Sequence, residues 1–211
     1  MKLRGILFDM DGTLGDTLPI CVQALQDTLS VFTHRGYTQE EIYAMFGPSE
    51  EGVLYKRIPQ PQWQPALQDF LGRYRALHET ARQPFQGVIP LLEGLKQQGV
   101  RTGVVTGKGR NSAEISVEAL GLAPYIETLV TGSQDGAEKP ASIRQVLAEW
   151  DYPPSQVAYV GDMPYDMVAA REAGVVPLGA AWAGTATVRE GDGALKVFYR
   201  VDDLARWLEE D

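Results

Sequence analysis

The sequence predicts an α/β protein: a Rossmann-like parallel sheet with helices on both faces and an all-helical cap inserted after the first strand. Three observations support this fold class. An apolar, β-rich run occupies residues 3–8, and residues 17–82 then show helical periodicity with no strand-like run. From residue 88 onward, helical and strand-like runs alternate, as they do in βαβ units. We therefore expect two domains, a core of residues 1–15 and 84–211 and a cap of residues 16–83.

Four helices are predicted in the cap, over residues 17–36, 38–47, 49–58 and 62–82. Thr17 stands where its side chain can cap the first helix, whose first turn holds Pro19. Thr38 and Glu41 have the T-x-x-E spacing of a capping box at the start of the second helix. We expect hinges where the cap joins the core, near residues 12–16 and 82–87.

In the core, further strands are predicted over residues 100–105, 128–130, 157–160 and 175–178. Helices are predicted over residues 88–98, 109–120, 141–150, 164–172 and 201–209. Parallel sheets of this kind bind ligands in the crevice outside the carboxyl ends of their strands. Residues that follow the strands are therefore the first candidates for a functional site.

Composition excludes several classes of protein. The chain has 28 Asp and Glu against 19 Lys and Arg, and its net charge of −9 opposes attraction to nucleic-acid backbones and anionic membranes. No apolar run reaches membrane-spanning length, so we expect a cytoplasmic protein with no nucleic-acid or membrane partner. The single cysteine, Cys21, has no internal disulfide partner and is interpreted as a small buried residue. The oligomeric state, monomer or homodimer, is left open.

Acidic and polar residues follow three of the predicted strands. Asp9 and Asp11 end the first strand and are followed by Gly12. Two neighbouring carboxylates repel each other unless they bind a cation or have a catalytic role. Thr106 and Gly107 end the second strand, and Asp162 follows the strand of residues 157–160, with Asp166 four residues later. Lys139 precedes Pro140, which predicts an extended conformation for Lys139 before the next helix.

This set of groups suits phosphoryl transfer. Clustered carboxylates favour a hard cation such as Mg2+, which keeps positions for water and phosphate oxygens. One Asp can then act as nucleophile while a second acid protonates the leaving oxygen and later takes a proton from water. A hydroxyl, a lysine and backbone amides can stabilise the charge on the phosphoryl oxygens. Lys108 is not assigned to the site, because the GxxxxGK[ST] spacing of a P-loop is absent.

Four segments together resemble the motifs of the haloacid dehalogenase-like hydrolase superfamily, and within it the phosphoglycolate-phosphatase-like group with a helical cap. The segments are FDMDGTLGDT, VVTGK, EKPAS and GDMPYDMVAAREAG. The resemblance implies that Asp9 is the nucleophile, Asp11 the general acid and base, and Thr106 and Lys139 the phosphate-binding groups. It also implies Mg2+ ligation by the Asp9 side chain, the Asp11 backbone carbonyl and Asp162, with Asp166 assisting directly or through water. Gly12 and Gly107 would offer backbone contacts to the substrate.

Substrate choice is expected to depend on the cap. In the families that this sequence resembles, the segment equivalent to residues 46–49 faces the phosphate site, so Ser49 is a candidate substrate-binding residue. One hypothesis is that Ser49, Lys56 or Arg57 contacts the organic part of the substrate. The alternative is that residues 49–58, including Glu50 and Glu51, form an ordinary exposed amphipathic helix.

The sequence thus predicts a Mg2+-dependent phosphatase that hydrolyses a small phosphorylated metabolite, phosphoglycolate-like or a sugar phosphate, through an aspartyl-phosphate on Asp9. Two alternatives remain. One is a phosphomutase of the β-phosphoglucomutase type, and the other is a catalytically silent binding module with the same fold. Dehalogenase chemistry is disfavoured because a second acid two residues after the nucleophile serves phosphate chemistry. Phosphonate cleavage would need a cap lysine, for which Lys56 is a weak candidate.

Overall fold

The computed structural model describes residues 2–80, 83–136 and 138–210. Within these ranges the chain forms one six-stranded sheet whose neighbouring strands all pair in parallel. The strands are β1 (Gly5–Phe8), β2 (Arg101–Val105), β3 (Thr128–Val130), β4 (Val157–Gly161), β5 (Val176–Ala180) and β6 (Lys196–Phe198). The helices are α1 (Leu18–Thr33), α2 (Gln39–Tyr43), α3 (Glu50–Arg57), α4 (Trp63–His78), α5 (Val88–Gln97), α6 (Arg110–Ala119), α7 (Lys139–Trp150), α8 (Pro164–Ala173) and α9 (Val201–Glu210). The predicted α/β class with a parallel sheet is confirmed.

Strand β1 lies at the centre of the sheet, in the order β3-β2-β1-β4-β5-β6. All four of its residues are buried, because it pairs with β2 on one side and β4 on the other and is covered on both faces. The strand order reverses at β1, since the chain runs outward to β3 on one side and to β6 on the other. A ligand crevice is expected outside the carboxyl ends of strands at such a reversal, which is where β1, β2 and β4 end.

Helices α1 to α4 form their own apolar cluster, built on side chains such as Leu25 and Leu29 of α1 and Phe70 and Tyr74 of α4. These residues repeat at helical spacing, so each helix buries one face against the others. Ile115 of α6 also belongs to this cluster, which means that the helical segment packs directly on the core of the protein. No helix in the described residues is both long enough and apolar enough to cross a membrane.

Most predicted elements agree with the structure to within a few residues, but some details were wrong. Strand β6 was not predicted. Lys139 was expected to be extended, yet it is the first residue of α7, because a proline is tolerated at the second helical position. Thr17 occupies the N-cap position of α1, but its hydroxyl makes no capping bond. The helix predicted over residues 62–82 ends at His78, and residues 81 and 82 lie outside the described residues.

Candidate active site

A cavity of ≈ 340 Å³ lies at the carboxyl ends of β1, β2 and β4, under helix α3 and the loop before it. It brings together most of the residues that the sequence singled out: Asp9, Asp11, Ser49, Thr106, Gly107, Lys139 and Asp162. Asp166 and Gly12 do not line the cavity but contact residues that do. The structure therefore gathers residues from five separate parts of the chain around one space.

Asp9 follows β1 directly and is held from two sides. Its Oδ1 atom accepts a hydrogen bond from the backbone N–H of Met10 at 2.8 Å. Its Oδ2 atom lies 2.8 Å from the ammonium of Lys139. Because the residue is only 7% exposed, these contacts fix the direction of the carboxylate at the floor of the cavity.

Lys139 lies between two carboxylates at the start of α7. Its Nζ atom donates to Asp9 at 2.8 Å and to Asp166 at 2.6 Å. Burial alone would lower the pKa of Lys139, but Asp166 and Asp9 raise it well above its usual value. The ammonium is therefore charged and can face both Asp9 and an incoming anion.

Three carboxylates, those of Asp9, Asp162 and Asp166, each place one oxygen within 4.8 Å of the others. Burial raises the pKa of Asp162 to about 8, with further contributions from Asp9 and Asp166. Burial also raises the pKa of Asp166, although Lys139 opposes this shift. One lysine does not balance three buried acids, so the cluster fits a divalent cation bound through oxygen ligands.

Two glycines allow the acids to approach so closely. Gly12 has a φ of +74°, and a Cβ atom built there would lie 2.3 Å from Oδ2 of Asp162. A Cβ atom on Gly161 would lie 2.4 Å from the carboxyl carbon of Asp166. Both contacts are far shorter than real side chains make, so the acidic cluster requires these two positions to be glycine.

Asp11 is placed differently from the cluster. Its Oδ1 atom accepts a hydrogen bond from the hydroxyl of Thr17 at 2.5 Å and lies 3.3 Å from Nζ of Lys108. Burial raises the pKa of Asp11 although Lys108 and Thr17 lower it. A carboxyl group with a raised pKa that faces the cavity can carry a proton to a leaving oxygen. The hydroxyl of Thr17, expected to cap α1, instead orients this acid.

Thr106 and Gly107 form the wall after β2. Thr106 is 3% exposed, its backbone N–H donates to the carbonyl of Val130, and its hydroxyl accepts from the backbone N–H of Lys108 at 3.3 Å. A Cβ atom on Gly132 would lie 2.2 Å from the carbonyl oxygen of Gly107, so the loops after β2 and β3 are in close contact. This contact fixes the turn that presents the Thr106 hydroxyl to the cavity.

Sequence reasoning missed Lys108 and Glu50. Lys108 is 3% exposed and lies 3.0 Å from Glu50 and 3.3 Å from Asp11. The other carboxylate oxygen of Glu50 accepts the backbone N–H of Gly109 at 2.7 Å. Burial would raise the pKa of Glu50, but Lys108 and this N–H hold it below its usual value. The expectation of an exposed helix face is therefore wrong for Glu50, and the exclusion of Lys108 from the site is wrong as well.

Ser49, at the N-terminus of α3, connects the helical segment to the core. Its hydroxyl accepts from the backbone N–H of Gly52 at 3.4 Å, and its own N–H donates to the carbonyl of Ser133 at 2.9 Å. Lys56 and Arg57, at the other end of α3, are exposed and do not line the cavity. Ser49 therefore lines the cavity and stays a candidate substrate contact, whereas the positions of Lys56 and Arg57 argue against such a role for them.

A central parallel strand that ends in two aspartates, with a lysine and two further acids beside it, defines a hydrolase of the phosphatase class. The family model for haloacid dehalogenase-like hydrolases matches residues 6–180, and the chain belongs to this family. The predicted membership is confirmed.

Relatives and solved structures agree with this placement. The chain is 28% identical over 187 residues to the pyrophosphatase PpaX of Bacillus pumilus, covering 86% of this chain and 84% of the relative. CbbY from Rhodobacter sphaeroides, solved in complex with phosphate, has a similar fold, with a TM-score of 0.81, 20% identity and 96% of each chain covered. A protein described as a predicted phosphoglycolate phosphatase from Haemophilus somnus gives a TM-score of 0.81 at 19% identity, with 98% of each chain covered.

Proposed function

We propose that the protein is a Mg2+-dependent phosphatase that hydrolyses a small phosphate monoester through a phosphorylated Asp9. The observation that carries this proposal is the position of Asp9, which shares an acidic cluster with Asp162 and is paired with Lys139 at 2.8 Å. A carboxylate held in this way is oriented for attack on a phosphorus atom that enters the cavity.

In the first step a carboxylate oxygen of Asp9 forms a bond to phosphorus, and the bond between phosphorus and the ester oxygen breaks. The bonds from Met10 and Lys139 keep the carboxylate in one orientation during this attack. Thr106, Gly107 and Lys139 line the cavity. There the Thr106 hydroxyl, the backbone at Gly107 and the Lys139 ammonium would stabilise the charge on the phosphoryl oxygens. Mg2+, when bound, supplies the positive charge that lets a carboxylate approach an anionic phosphate.

Asp11 moves the proton in both steps. It gives its proton to the leaving ester oxygen, so that the alcohol departs neutral. It then takes a proton from the water that attacks phosphorus, and the bond between Asp9 and phosphorus breaks to release inorganic phosphate. Its position beside Thr17 and Lys108, outside the three-acid cluster, supports a role in proton transfer.

The side chains of Asp9 and Asp162, with the backbone carbonyl of Asp11, are the groups that we assign to Mg2+. We assign Asp166 chiefly to positioning, because its two oxygens accept from Lys139 at 2.6 Å and from the backbone N–H of Met163 at 2.9 Å. This arrangement lets Asp166 fix Lys139 against Asp9 while adding negative charge to the acidic cluster.

Residues 16–83 are proposed to act as the cap, with hinges near residues 12–16 and 82–87, of which residue 82 lies outside the described residues. In support, Ser49 and Glu50 at the start of α3 contact the core at Ser133 and Gly109. Closure of these contacts over the cavity would exclude bulk water while Asp9 is phosphorylated.

The proposal is tested by hydrolysis of para-nitrophenyl phosphate, with Mg2+ and with EDTA. We expect turnover that requires Mg2+ and that falls to background in the Asp9→Asn variant. Asp16→Asn is the matched control, since Asp16 lies in the same segment but is exposed and does not line the cavity. Equal turnover in folded Asp9→Asn protein would contradict the proposed nucleophile. No specific observation favours the phosphomutase or the silent binding module.

A further inference from the structure

We infer that the leaving group of the substrate is small, uncharged and partly apolar, so that inorganic pyrophosphate and esters with a second acidic group are poor substrates. This inference rests on the proposed phosphatase function, because it concerns the part of the cavity that receives the alcohol. Three properties of the cavity carry it: the pairing of its lysines, the character of its cap-side wall and its size.

The cavity has no unpaired cation among the described residues that line it. Those residues include two lysines, and each is already paired with two carboxylates. Lys139 contacts Asp9 and Asp166 at 2.8 and 2.6 Å, and Lys108 contacts Asp11 and Glu50 at 3.3 and 3.0 Å. A second phosphate or a carboxylate on the substrate would lose its hydration without gaining an ion pair.

Glu50 makes the same region unfavourable for anions. Its carboxylate belongs to the cap, lines the cavity and is 3% exposed. Lys108 lies 3.0 Å from Glu50 and balances its charge, and Asp11 carries a proton when it acts as the acid, so this group of three offers no net positive charge. An anionic leaving group would approach the carboxylate of Glu50 in a buried place, where screening by water is weak.

Apart from Ser49 and Glu50, the cap-side wall is mostly apolar. Leu18, Tyr43, Phe46 and Pro48 line the cavity. The rings of Tyr43 and Phe46 meet edge to face, with centroids 6.2 Å apart, and Tyr43 is 42% exposed. Such a wall gains free energy by covering an apolar or ring-shaped surface and offers no partner for a charge.

The cavity is also small. Its ≈ 340 Å³ must hold both the phosphoryl group and the leaving group. Pockets for small molecules span about 300–1,000 Å³, so this one is at the lower end of the range. A leaving group of a few carbon atoms or a single ring fits this volume better than a nucleoside does.

The test compares substrates that differ in one property, measured as kcat/KM with Mg2+ present. Phosphoglycolate is paired with 2-hydroxyethyl phosphate, which has the same two carbon atoms but a neutral hydroxymethyl group in place of the carboxylate. Benzyl phosphate adds a ring, and pyrophosphate is the anionic extreme. We expect kcat/KM for 2-hydroxyethyl phosphate to exceed that for phosphoglycolate by at least roughly tenfold. Benzyl phosphate should have a higher kcat/KM still, and pyrophosphate should have the lowest of the four.

Two variants test the wall directly. Tyr43→Ala should raise KM for benzyl phosphate and leave KM for 2-hydroxyethyl phosphate nearly unchanged. Tyr55→Ala is its control, because Tyr55 is 49% exposed in the same helical segment and does not line the cavity. Phe46→Arg should raise kcat/KM for phosphoglycolate relative to 2-hydroxyethyl phosphate, because it supplies the cation that the wall lacks.

The outcomes separate the two proposals. Turnover of phosphoglycolate or pyrophosphate at an equal or higher kcat/KM than the neutral ester would overturn the inference and leave the phosphatase function standing. If Phe46→Arg left the ratio of kcat/KM for phosphoglycolate to that for 2-hydroxyethyl phosphate unchanged, this would also count against the inference. Absence of turnover with every ester, including para-nitrophenyl phosphate, would overturn the proposed function and this inference with it.

Discussion

Nζ of Lys108 lies 3.0 Å from Oε1 of Glu50, and this ion pair joins the loop after β2 to helix α3 of the helical segment. The two side chains are 2% and 3% exposed. The same ammonium lies 3.3 Å from Asp11 and 4.8 Å from the centre of the Tyr74 ring. One buried cation therefore connects the proposed general acid to helices α3 and α4 of the helical segment.

Replacing Lys108 should destabilise the fold strongly. Lys108→Met keeps the length of the side chain but leaves the buried carboxylate of Glu50 without a counter-charge. Breaking a buried ion pair in this way typically costs about 3–5 kcal/mol in the free energy of unfolding. Urea denaturation with and without the substitution measures this loss. Lys56→Met, at an exposed position on α3, should change the free energy by less than about 0.5 kcal/mol.

The double variant Lys108→Met with Glu50→Gln distinguishes an ion pair from a general packing effect. Removing both charges leaves no unpaired carboxylate at Glu50, so part of the lost stability should return. The amide of Gln can still accept the backbone N–H of Gly109, which Glu50 now binds at 2.7 Å. Losses that simply add in the double variant would show that the two residues are not coupled.

The sequence was sufficient to locate the acids and the lysine of the site, for a physical reason. Asp9, Thr106 and Asp162 directly follow apolar runs that form adjacent strands, and parallel strands end at the same edge of a sheet. Lys108 and Glu50 could not be paired in the same way. Glu50 belongs to a helix of the inserted segment, and only the tertiary packing of α3 on the core brings it to Lys108.

Two structural details could not be predicted from local patterns. Strand β6 has three residues, and its first, Lys196, is exposed, so the run Lys196–Phe198 has too few apolar positions to show an alternation. Lys139 precedes a proline, which disfavours helix in peptides, yet the helix begins at this residue. Lys139 also forms ion pairs with Asp9 and Asp166, which are distant in sequence and which no local pattern could show.

The metal-free protein should lose stability as pH rises toward 8. Burial and the neighbouring acids raise the pKa of Asp162 from 3.8 to about 8, so the folded state holds a proton that the unfolded state releases at lower pH. By linkage, this group stabilises the fold fully below pH 3.8, and its contribution falls through the interval up to about pH 8. Through this group, the free energy of unfolding should fall by at most about 1.4 kcal/mol per pH unit.

Mg2+ should remove this dependence of stability on pH, because cation binding favours the ionised carboxylate of Asp162 and releases its proton. Melting temperatures measured in EDTA and in Mg2+ between about pH 5 and pH 9 test this expectation. The apparent affinity for Mg2+ should also rise with pH in the same interval. Asp162→Asn is the control, since it should flatten the pH slope in EDTA. If Asp162→Asn showed the same decrease in stability with pH as the unchanged protein, groups other than Asp162 would be responsible for the decrease.

Gly12 should tolerate no side chain. Gly12→Ala places a methyl group where a Cβ atom would lie 2.3 Å from Asp162, on a backbone with φ +74°. The substitution should lower the free energy of unfolding by about 1 kcal/mol or more and weaken Mg2+ binding, because Asp162 must move. Gly36→Ala is the matched control, since nothing lies within 4 Å of that position. Calorimetric titration with Mg2+ separates the two variants, and equal affinities in both would contradict the steric argument.

Replacing Asp166 should lower kcat more than it raises the Mg2+ concentration that the reaction requires. In Asp166→Asn the amide oxygen can keep the bond to the backbone N–H of Met163, but Lys139 loses one of its two carboxylates. A hydrogen bond to a charged group contributes about 1.5–3 kcal/mol, so kcat should fall by roughly 10- to 100-fold as Lys139 loses its fixed position against Asp9. The Mg2+ concentration for half-maximal rate should shift less than in Asp162→Asn. If Asp166→Asn instead raised this concentration as much as Asp162→Asn does, Asp166 would be a direct ligand of the cation.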